Sequence, residues 1–167
     1  MKKLFLIGAF LILILFGAAA QVSDNLQVSG SVPQVLNITM GADVVFVLDV
    51  AGGTISLGDV VVRSNLKSWI LRIWSVNGSK LKNSDSEEIS YSVSLTGVSP
   101  ITGFSGGTLQ SSSPSSGTGY IAIVDKTAKA GVTLPLSITY SGEGVGTFWS
   151  YDKDNFIDTV HVAVSVN

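Results

Sequence analysis

The chain has 167 residues, a formal net charge of −2, 18 Gly and no Cys. With no thiol there can be no disulfide, no thiolate zinc site and no cysteine nucleophile, so a hydrophobic core must hold the fold. No basic excess recommends nucleic acid as a partner, and charged residues make up only 13% of the chain.

Met1-Lys2-Lys3 is followed by an uncharged run from Leu4 to Gly17 and then by Ala18-Ala19-Ala20. A basic start, a short apolar middle and a small-residue end predict a secretory signal peptide, cut after Ala20. The apolar run is shorter than the roughly 20 residues that span a bilayer, so no stable membrane span is expected after cleavage. The exported chain then carries eight basic and twelve acidic residues. Export leaves periplasm, cell surface or the extracellular space as destinations. Residues 21–167 are expected to form a single domain.

Gln21 to Val32 reads QVSDNLQVSGSV. Val22, Leu26, Val28 and Val32 all fall on even positions, the pattern of a strand with one apolar edge. This strand could belong to its own sandwich or be donated to a neighbour. After Pro33, Leu36 and Ile38 resume an extended pattern. Asp43 to Val50, DVVFVLDV, is a compact apolar run bracketed by acids. Gly52-Gly53 and Gly58-Asp59 read as turns around Thr54–Leu57.

Val60 to Val76, VVVRSNLKSWILRIWSV, is the expected centre of the core. Two apolar runs flank Arg63–Ser68, with Trp69, Leu71 and Ile73 on one side of the second and Ile70, Trp74 and Val76 on the other. Fully burying each Trp would remove roughly 150–250 Å² from water, an upper limit of about 4–6 kcal/mol. Asn77-Gly78 predicts a hairpin turn. Lys80–Glu88 reads as a charged, solvated loop. Ile89, Tyr91, Val93 and Leu95 alternate with serines, giving one buried and one wet face. Thr102 to Gly119, rich in Ser and Gly, reads as a long surface loop. Tyr120–Val124 is a short strand. Val132, Leu134, Leu136, Ile138 and Tyr140 share a face in a strand that Pro135 assigns to an edge. Phe156, Val160, Val162, Val164 and Val166 share a face broken only by Asp158.

Eight to ten short strands separated by turns predict an all-β, antiparallel β-sandwich. Catalytic groups are sparse. The one His, His161, falls on the polar face of its strand, opposite Asp158, and no nucleophile elbow is present. Glu87-Glu88 and the isolated Glu143 do not make a glycosidase pair. The chain is read as non-enzymatic, with no cofactor. Asp152, Asp154 and Asp158 are oxygen ligands close enough in sequence to suggest calcium, without the Gly and distal Glu of an EF-hand. Trp149 and Tyr151 could present a platform to a glycan or another ligand.

Gly146-Thr147-Phe148 followed by Asp158-Thr159-Val160-His161-Val162-Ala163-Val164 resembles the ending of secreted bacterial fimbrial domains of the spore-coat-U-like kind, with Trp149–Ile157 between the two halves. Ser64-Asn65 ahead of Trp69-Ile70-Leu71 is similar to a pattern in bacterial surface sandwiches. The resemblance implies an immunoglobulin-like sandwich with no catalytic residues, assembled by a donated strand. Gln21–Val32 would be the donor. The leading expectation is therefore a structural or adhesive surface subunit that binds itself or other subunits. A carbohydrate- or ligand-binding module is the alternative.

Overall fold

The computed structural model describes residues 29–142 and 155–167. By their internal contacts, residues Met1–Val32 and Pro33–Asn167 form two units, and the architecture below belongs to the second. Among the described residues there is no helix, and none that could cross a membrane. The all-β expectation is met, among the described residues, by nine strands: β1 (Leu36–Met40), β2 (Gly52–Ser64), β3 (Trp69–Ser75), β4 (Lys80–Lys82), β5 (Glu88–Leu95), β6 (Phe104–Gly107), β7 (Tyr120–Ile123), β8 (Val132–Ser141) and β9 (Val160–Val166).

Every strand pairing is antiparallel. One sheet runs β1-β2-β8-β5-β4, with β6 sharing the outer edge of β5, and the second runs β7-β3-β9. The first sheet curls as a half-barrel around the core. Its strands place Val60, Val62, Tyr91, Val93, Leu95, Leu134, Leu136 and Ile138 inward, and the second sheet contributes Trp69, Leu71 and Ile73. Period-two alternation explains why these residues, and not their neighbours, are buried.

The two runs of the 60–76 stretch lie in different sheets. Residues 65–68 carry the chain from β2, in the large sheet, to β3, in the small one. Trp69, Leu71 and Ile73 are fully buried, and the Trp69 indole Nε1 donates to the Asp125 carbonyl at 2.9 Å. Trp74 is not a core residue. Its parity puts it on the outer face of β3, where it is half-buried and stacks on His161 with ring centroids 5.0 Å apart.

Several boundaries differ from the sequence reading. Gly58-Asp59 does not turn the chain. β2 runs straight through as 13 residues, and a bulge between Ser56 and Gly58 absorbs the irregularity, with Gly58 at φ +88°. That bulge also explains Pro135, which sits in a central strand rather than an edge. β8 pairs with both β2 and β5, and Pro135 opposes Asp59 immediately beside the bulge. A proline needs no ladder donor where the register has already slipped.

Asn77-Gly78 makes a turn, but β3 and β4 belong to different sheets, so the product is a crossover and not a hairpin. Lys80–Glu88 contains β4, held to β5 by pairs such as Lys82 opposite Glu88. Glu88 also accepts from Lys80 and Lys82, and these hydrogen bonds hold its carboxyl below the usual range. The Ser/Gly-rich stretch 102–119 is partly internal: it supplies β6 and buries Leu109 and Pro114. Gly119 permits its close approach to β3. A Cβ there would lie 2.1 Å from the Ile73 carbonyl oxygen, and the Gly119 oxygen accepts from Ile73 N at 2.7 Å.

The contrast between the two tryptophans is testable by denaturant unfolding. Trp69→Ala is expected to cost about 3–5 kcal/mol, because it empties a fully enclosed site. Trp74→Ala is expected to cost about 1 kcal/mol or less, because its ring lies on an outer face. Equal losses would show that the outer face carries as much packing as the core.

Candidate functional site

Burial is uneven around the core. The inward residues of β3, β5 and β8 are closed off, whereas Leu36 and Ile38 of β1, and Val160, Val162 and Val164 of β9, are only partly covered. β1 and β9 are edge strands of opposite sheets that approach one another. Among the described residues the outer edge of β9 has no ladder partner. An unpaired edge beside incompletely buried valines is a surface open to another strand.

A cavity of about 1080 Å³ opens on this side of the domain. Phe46 and Leu48 line it from the segment that follows β1, Leu136 and Ile138 from β8, and Phe156 and Val160 from the approach to β9. Residues 41–49 form no ladder, and the compact apolar run read over Asp43 to Val50 lies mostly within them. From Val45 to Val50, exposed residues alternate with half-buried ones. Phe46 packs its ring 6.4 Å from that of Tyr140, whose hydroxyl accepts from Asp49 N at 2.8 Å.

A polar cluster marks the inner wall. The Tyr91 hydroxyl donates to Asp158 Oδ2 at 2.7 Å. Asp158 Oδ1 accepts from Asn77 N at 3.0 Å and from Thr159 N at 2.7 Å. Ser79 is buried beside them, donating its N–H to Ser75 Oγ and accepting at its hydroxyl from Leu109 N. No buried side-chain nitrogen or oxygen among the described residues lacks a partner. Asp158 lies just ahead of β9 and accepts from Tyr91, the one hydroxyl on the apolar face of β5. Burial, and then the hydrogen bond to Asp158, push the Tyr91 phenol well above its ordinary value. The cluster ties β5 to the chain entering β9. Just before it, Ile157 pairs with Lys82 of β4 through two backbone hydrogen bonds of 3.1 and 2.8 Å.

The predicted site residues separate into two groups. Val32 is exposed, with 84% of its surface accessible, and Asp158 occupies the cluster just described. Val22, Leu26, Val28, Trp149, Tyr151, Asp152 and Asp154 lie outside the described residues. Among the described residues, no three His, Asp or Glu side chains gather as a metal site. Sequence reasoning missed Phe46, Leu48 and Tyr91 as wall residues. The one available signal was Asp158, an acid on an apolar face that required a buried donor.

No protein-family model matches the chain, and no curated protein matches it.

The Tyr91 environment has a pH signature. The folded state keeps the phenol protonated where the unfolded chain, with a pKa of about 10, ionises. Its stabilising contribution is therefore complete below about pH 10 and lost as pH rises toward the folded value. Tyr91→Phe is expected to flatten the alkaline decline in stability while costing about 1–2 kcal/mol at neutral pH from the lost hydrogen bond. An unchanged alkaline limb in thermal melts would count against this assignment.

Proposed function

We propose that this chain is an exported, non-enzymatic structural or adhesive surface subunit that assembles by strand addition. The observation that carries the reading is the outer edge of β9, which has no ladder partner among the described residues and lies beside partly covered Val160, Val162 and Val164 and an open apolar cavity. Backbone groups along a free edge supply affinity without regard to sequence, and apolar sockets beside it supply register. The donor is Gln21–Val32 of a neighbouring copy or of another surface subunit, with Val22, Leu26, Val28 and Val32 as the inserted side chains. Nothing in this reading calls on a cofactor, a nucleic acid or a reaction. The loose likeness to fimbrial sandwiches points the same way.

A second reading keeps the domain but changes the occupant. A ligand-binding module would use the same cavity, whose volume slightly exceeds the roughly 300–1,000 Å³ that small-molecule sites occupy. Its lining favours an apolar ligand. A glycan would instead call on Trp149 and Tyr151.

Deleting Gln21–Val32 separates the readings. The shortened protein is expected to stay folded by circular dichroism but to lose higher assemblies in sedimentation. A synthetic peptide of that segment is expected to bind it and to displace an apolar dye from the cavity. Assembly that survives the deletion would sink strand donation, and dye binding indifferent to the peptide would favour a small-molecule occupant.

A further inference from the structure

Residues 43–49 read Asp-Val-Val-Phe-Val-Leu-Asp, a sequence nearly symmetric about Phe46. The segment is apolar on both faces. Phe46 and Leu48 turn toward the core, while Val45 and Val47 are 95% and 91% exposed. Asp43 and Asp49 share the outward parity of Val45 and Val47. Among the described residues no backbone hydrogen bond uses the groups of Val44 to Val47, and no ladder includes them. Yet the segment is anchored: Tyr140 holds Phe46 by ring contact and Asp49 by its hydroxyl. An anchored, two-faced apolar segment whose Val44–Val47 backbone groups make no hydrogen bond among the described residues is a template for another strand.

We propose that this segment pairs antiparallel with the same segment of a second copy, about a two-fold axis through Phe46. The near-symmetry is the argument for a second copy. In this register residue 45 faces 47 of the partner, and residue 44 faces 48, so every apolar side chain meets an apolar one. Such self-complementarity is what an isologous two-fold contact requires. The same register sets Asp43 opposite Asp49 at both ends. Like charges directly opposed weaken a strand pair, and they stop the ladder from growing past the apolar five. Five residues bury far less than the roughly 1,000 Å² of a standing interface. The association is therefore weak and concentration-dependent, and becomes tight only where other contacts add to it. Asp43 to Leu48 line the same cavity as Val160, but this pairing uses the backbone of residues 43–49 and does not need Gln21–Val32.

The charges make the register testable by sedimentation across a concentration series. Asp43→Lys converts both opposed pairs to complementary ones by symmetry. It is expected to tighten the dimer at least about tenfold at low salt, with the gain erased near 1 M salt, where screening is almost complete. D43K/D49K restores like charges and is expected to lose that gain. Adding Val45→Asp to D43K is expected to return a monomer with an unchanged circular dichroism spectrum. Deleting Gln21–Val32 from D43K is expected to leave the dimer intact, whatever becomes of strand donation. The proposal is overturned if D43K associates no more tightly than the parent, if the double variant associates as tightly as D43K, or if the deletion abolishes the D43K dimer.

Discussion

The enclosure of β3 is the constraint on which the rest of the domain depends. Trp69, Leu71 and Ile73 have no accessible surface, and β7 and β9 flank them on either side. The Trp69 indole could be buried only with a partner for its N–H, and the Asp125 carbonyl beyond β7 supplies one. This fixes the chain following β7 against the core. It also requires β2 and β3 to part into opposite sheets, since a strand facing a half-barrel cannot also belong to it. Residues 65–68 make that transfer, with Asn65 bonded back to Pro33 and Val35 ahead of β1.

A second tie closes the structure where the chain returns. Ile157 pairs with β4 and Val160 with β3, so the chain passes from one sheet to the other within three residues. Such a short crossing exposes backbone groups that need partners. Asp158 provides them for Asn77 and Thr159 and takes the Tyr91 proton donor from the opposite strand. The acid is thus structural. It ties the Asn77 turn, β5 and the start of β9 at one point.

Between these two ties the cover is incomplete. The partly exposed valines of β9, the open cavity and the outward valines of residues 43–49 all belong to segments at the margins of the sheets. A domain held by apolar burial alone, with no disulfide, would gain stability by covering them. Among the described residues they remain open surface, and that is what gives a subunit reading its force. Under the two proposals one domain makes two kinds of contact, through an edge that receives a strand and a strip that pairs with its like.

Composition and period-two patterning were enough, by themselves, to determine an all-β chain. They also selected the inward faces of β3, β5 and β8, because alternation assigns each side chain to a face whatever the topology. Trp69, Leu71 and Ile73 were legible for that reason, as were Val93 and Leu95. Tertiary structure alone decided which strands are neighbours. Pro135 could lie in a central strand only because a bulge in β2 released its partner, and that bulge has no signature beyond one glycine. Trp74 looked like core and proved to be surface, since one residue of parity separates it from Ile73. Asp158 was legible as an acid beside an apolar face, but its hydrogen-bond donors were not, because they come from residues 67 and 81 positions away. Local pattern fixes the direction in which a side chain points. What it meets there depends on contacts between distant segments, which no local pattern encodes.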